Sequence, residues 1–184
     1  MRNTGLYLAA AMACAGATSA QAVTLANDGM WQSFSVDEML NPSLSWIDDG
    51  GNALGFDFTL SSAARLRVVD AGWGGDRFQI TINGVAHETS TVATPDVMGP
   101  PEAPIVADFD AAFADHRTFS YAEIDLGPGS YAVTGVLTQS AIYGGMPLNA
   151  TLGGIQLAAV PVPAALWLFA SGVGFIGAAR RRAA

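Results

Sequence analysis

The sequence predicts an all-β fold, an antiparallel β-sandwich of jelly-roll or galactose-binding type flanked by an N-terminal signal helix and a C-terminal transmembrane helix. Three observations predict it. Apolar and polar residues alternate at period two through several short runs, glycine-rich turn signals separate those runs, and both ends of the chain carry almost no charge over helix-length stretches. Of the 184 residues 51% are hydrophobic and only 13% charged, which is apolar for a soluble protein. The excess sits at the two ends, leaving a middle of ordinary globular character.

Residues 1–22 read as a secretory signal. Arg2 supplies the early cation, an apolar stretch runs from Leu6 to about Ala17, and Ala20-Gln21-Ala22 meets the small-x-small rule for signal peptidase, with the cut expected after Ala22. Cys14, the one cysteine, lies in the apolar stretch. A cut after Ala22 leaves a mature chain with no disulfide, no thiolate metal site and no cysteine nucleophile.

Residues 23–159 form one domain, long enough to fold on its own core. Its strands are expected at Trp31–Val36, Leu54–Leu60, Leu66–Val68, Phe78–Ile82, Val85–Thr89, Ala122–Leu126 and Tyr131–Val136, each with one apolar face. Turns are expected at Asp48–Asn52, Asn83-Gly84, Gly127–Gly129 and Gly144-Gly145, and Asn83-Gly84 is the favoured type I′ hairpin pair. One helical turn is expected at Asp110–Ala114. The stretch from Thr91 to Pro104 holds four of the nine prolines and is expected as an exposed excursion across one end of the sandwich.

All sixteen acidic residues lie between Asp28 and Asp125, with four of the eight arginines and no lysine. Such a surface argues against nucleic acid as a partner of the domain. It suits an extracellular, cation-rich setting or simple solubility.

The last 25 residues, 160–184, start with Val160-Pro161-Val162-Pro163-Ala164 and continue as an uncharged run through Trp167 to Ala179. As a helix the run approaches the thickness of a bilayer core, with Trp167 at the interface. Arg180, Arg181 and Arg182 then hold the terminus in the cytoplasm by the positive-inside rule. These residues resemble the VPLPA-CTERM sorting domain, a variant of the PEP-CTERM signals of Gram-negative bacteria, with Val162 where that motif has leucine. The resemblance implies recognition and cleavage by an exosortase near the Pro-x-Pro-Ala stretch. It also implies an inner-membrane stage with the domain in the periplasm, then the cell surface or extracellular space, and an association with exopolysaccharide and biofilm. Residues 54–160, including the run from Leu66 to Phe78, are similar to the extracellular domain of uncharacterised PEP-CTERM-type proteins, which implies fold and location but no chemistry.

Candidate sites in the domain are few. Only His87 and His116 are available for zinc, and no nucleophile elbow, phosphate loop or zincin motif occurs, so no catalytic residue and no enzymatic activity are expected. Aspartates in or beside irregular stretches allow calcium, with Asp70, Asp76, Asp108 and Asp110 the preferred ligands, although aspartate is equally the ordinary cap and turn residue. Trp73, flanked by Gly72, Gly74 and Gly75, is the candidate aromatic contact for a sugar; packing into the fold is the alternative. Two functional readings follow: a structural or adhesive surface protein, with exopolysaccharide as an expected ligand, or a secreted carbohydrate-active enzyme bearing the same sorting signal.

Overall fold

The computed structural model describes residues 21–99 and 104–160. The first half contains β1 (Gln21–Thr24), β2 (Trp31–Asp37), β3 (Leu54–Leu60), β4 (Ala64–Trp73), β5 (Arg77–Ile82) and β6 (Val85–Glu88). After these come β7 (Ile105–Val106), α1 (Phe109–Ala114), β8 (Tyr121–Leu126) and β9 (Gly129–Gln139), then β10 (Ile142–Tyr143), β11 (Met146–Pro147) and β12 (Ala150–Ala159). Ala20, Pro161, Val162, Pro163, Ala164, Arg180, Arg181, Arg182 and the two expected terminal helices lie outside the described residues. Among the described residues no helix is long and apolar enough to cross a membrane.

The strands form two main sheets. One has the order β1-β3-β9-β5-β6; the other runs β2-β12-β4, with β8 and β7 both pairing with β4. The pairs are antiparallel except β1 with β3. Ala22 therefore stands within a strand, paired with Gly55. A cut after it would leave only Val23 and Thr24 of β1.

Alternation builds the core. Phe56 and Phe58 of β3, Phe78 and Ile80 of β5 and Val133 and Leu137 of β9 meet Phe34 of β2, Leu66 and Val68 of β4 and Ile155 and Leu157 of β12 in one buried cluster. Residues of both sheets share this cluster, an arrangement that a β-sandwich fits. Its centre is aromatic: Trp46 stacks on Phe34 with ring centroids 4.0 Å apart, and Phe78 meets Phe34 edge-on at 5.2 Å. Two glycines make room for these rings, since a Cβ on Gly135 would overlap the Trp46 indole and one on Gly153 would overlap the Phe34 ring.

The turn chemistry matches the geometry. Asn83 and Gly84 both adopt positive φ, 49° and 83°, between β5 and β6, as a type I′ turn requires. Asp48 closes its turn by accepting from the amides of Gly50 and Asn52. Two features depart from expectation. Ala150–Ala159, for which the alternation gives no strand, is an inner strand of the second sheet, between β2 and β4. Within the stretch after Thr91, Val92 and Val97 are buried rather than exposed, and the Val97 amide donates to the carbonyl of Ile142 at 2.7 Å, while Thr91, Ala93, Thr94 and Met98 are exposed.

Candidate functional site

Strand β4 carries the most unusual residue of the fold. Ala64, Leu66 and Val68 face the core, and the same period-two parity brings Asp70 inward at the far end of the strand, fully buried. Gly74 and Gly75 then carry the chain to β5, with Asp76, also fully buried, just before it. The glycines permit the crossing. Gly75 has φ of +116°, and a side chain there would strike Pro95 Cδ at 2.6 Å and the carbonyl of Ala93 at 2.9 Å.

The turn wraps one carboxylate with amides. Asp70 Oδ2 accepts from the backbone N–H groups of Gly75 (3.2 Å) and Asp76 (3.1 Å). Asp76 Oδ1 accepts from the amide of Ala141, 65 residues further along, at 2.7 Å. The remaining oxygens, Asp70 Oδ1 and Asp76 Oδ2, are buried without a hydrogen-bond partner. The hydroxyls of Thr151 and Ser140 are close enough to Asp76 to favour its charged form.

Burial is the largest influence on both acids. It pushes Asp70 up to about 9, helped by the charge of Asp76 and opposed by the amides of Asp76, Gly75 and Ser120. It raises Asp76 to about 6, opposed first by the nearby Thr151 hydroxyl and then by the Ala141 amide and the Ser140 hydroxyl. The result is a pair of buried carboxyl groups near enough for the charge of Asp76 to act on Asp70, with the hydroxyls of Thr151 and Ser140 beside Asp76. Such an arrangement can share a proton between the acids or hold a hard divalent ion.

Of the four aspartates expected as a calcium set, the structure brings Asp70 and Asp76 together. Asp108 and Asp110 are engaged otherwise. Asp108 caps α1, its Oδ1 accepting from the amides of Asp110 and Ala111, while Asp110 Oδ1 accepts from Trp31 Nε1 at 2.8 Å. Among the described residues no group of three or more His, Cys, Asp or Glu side chains converges as a metal cluster would. Ser140 and Thr151 escape a sequence reading because hydroxyl residues are common and their approach depends on the pairing of distant strands.

Trp73 is the last residue of β4, paired with Ile105 of β7, and packs half-buried against Val97 and Ala141. Of the flanking glycines, Gly74 allows a close approach, since a Cβ there would meet Thr118 Cγ2 at 2.6 Å. His87 lies on β6, and His116 stacks on Tyr121 at 3.8 Å.

No protein-family model and no curated protein matches the chain. Among solved structures it is similar to the pre-peptidase C-terminal domain of a collagenase from Bacillus anthracis, at 10% identity and a TM-score of 0.34, over 77% of this chain and 96% of that one.

Proposed function

We propose that the chain is an exported surface or extracellular-matrix protein, anchored for a time by its C-terminal segment and processed by an exosortase, whose β-sandwich has a structural or adhesive role. The observation that carries this reading is the order of features at the C-terminus: Pro-x-Pro-Ala, an uncharged run, then Arg180-Arg181-Arg182. β12 ends at Ala159, so the motif follows the last strand directly in the sequence. The finer architecture belongs to the same reading: a sandwich of jelly-roll or galactose-binding type between an N-terminal signal helix and a C-terminal membrane helix. Trp73 and exopolysaccharide are its aromatic contact and its ligand.

Intact-mass and localisation measurements in the producing cell, with and without the exosortase, test the reading. Loss of roughly the last 25 residues and release to the surface are expected only when the exosortase is present. A full-length chain retained in the membrane in both strains rejects the sorting proposal. Binding to a panel of matrix polysaccharides, weakened by Trp73→Ala, tests the adhesive part.

A further inference from the structure

We infer that Asp70 and Asp76 bind one divalent cation of the calcium class, and that the ion ties the two sheets together at this end of the sandwich. The inference stands apart from the sorting proposal and rests on the orphaned oxygens. Asp70 Oδ1 and Asp76 Oδ2 belong to fully buried residues and have no donor. A buried acceptor left without a donor is costly, and a buried carboxylate more so, which makes such atoms rare in folded proteins.

The chemistry of the pair selects the ion. Two carboxylates balance one divalent charge, so the buried pair with its ion would hold no net charge. The side chains named there offer oxygen: the two carboxylates and the hydroxyls of Thr151 and Ser140 beside Asp76. Calcium accepts such irregular all-oxygen sets, whereas magnesium demands near-ideal octahedral geometry and retains its waters, and zinc prefers nitrogen and sulfur.

The elements involved give the ion its role. Asp70 lies on β4 and Thr151 on β12, both in the second sheet, while Asp76 leads into β5 and Ser140 follows β9, both in the first. Pro95 and Ala93 close over the Gly75 turn that holds the pair. An ion here clamps both sheets and the covering loop.

The test is calorimetric titration of the full chain, purified in detergent and stripped with a chelator, with calcium and separately with magnesium. Thermal unfolding is followed in parallel. One calcium per chain is expected, with a rise in the unfolding midpoint of roughly 5 to 10 °C at a hundredfold excess over the dissociation constant. Asp70→Asn and Asp76→Asn should each abolish that rise, and Thr151→Val, which leaves both carboxylates in place, should weaken calcium binding several-fold. No calcium binding by the wild-type chain overturns the inference, and an Asp70→Asn variant then more stable than wild type identifies a proton-sharing pair instead. Calcium stabilisation that persists in both Asn variants also overturns it, since the ion would then bind elsewhere. Should the Asn variants fail to fold, the wild-type stoichiometry and the Thr151→Val affinity decide.

Discussion

The two ends of β4 handle charge in opposite ways. Near its start, Arg65 and Arg67 face solvent opposite Asp125 and Glu123 of β8, in direct register. Arg65 Nε lies 2.7 Å from Asp125 Oδ1 and Arg67 Nε 3.0 Å from Glu123 Oε1. Hydrogen bonding to Arg65 lowers the Asp125 pKa, and the same contact raises that of Arg65. Near its end Asp70 faces inward beside a second acid, and among the described residues no arginine pairs with it. At one end the neighbouring strand supplies the counter-charge, and at the other no described residue does. Where water already screens the acids, a partner adds little; where water is excluded, a partner matters most, and among the described residues none is seen.

The largest effect that would sharpen this contrast is on pH dependence in the presence of a chelator. A carboxyl whose folded pKa is raised binds more protons folded than unfolded between the two values, so stability falls as pH rises through that window. For Asp70 the window runs from 3.8 to about 9 and for Asp76 from 3.8 to about 6. Chelated protein is expected to lose on the order of several kcal/mol between pH 4 and 9, measured by denaturant unfolding at each pH. A flat profile would break the contrast.

Next in size, Asp70→Asn in chelator at pH 8 should raise stability by about 1–3 kcal/mol, because it removes one of two buried acids, the charge of one opposing that of the other. Urea unfolding of the two chains measures it. Gly153→Ala separates packing from charge. Gly153 pairs with Asp70 in register yet lies under the Phe34 ring, so its added methyl should cost about 1–3 kcal/mol equally at all pH values. A cost that varied with pH would show that Gly153 acts through the acids. The smallest effect is expected from Arg65→Gln at the exposed end: a slight loss in low salt that fades as salt is added, seen by repeating the melt at two ionic strengths.

Much of the fold was legible in the sequence for a physical reason. β3, β5 and β8 have one covered face each, so their alternation is clean, and Asn83-Gly84 can adopt little except the turn it forms. β12 was illegible because it runs between β2 and β4 with Phe34 pressing on one glycine and Phe109 on the next. A strand covered on both faces shows a continuous buried run, Gly153 to Leu157, and adjacent glycines argue locally against it. The site was half legible. The spacing Leu66-x-Val68-x-Asp70 already carries Asp70 onto the core face, and that parity distinguishes it from the capping Asp108. Nothing local marks Ser140, Ala141 or Thr151, which reach Asp76 only through the pairing of distant strands.

The covering of the Gly75 turn by Ala93 and Pro95 has a kinetic consequence. An ion held by Asp70 and Asp76 beside this covered turn is expected to exchange at the rate at which the segment from Val92 to Val97 lifts, whatever the affinity at equilibrium. A chelator mixed with the loaded protein would then strip it at a rate independent of chelator concentration, and the ion would record how often that end of the sandwich opens.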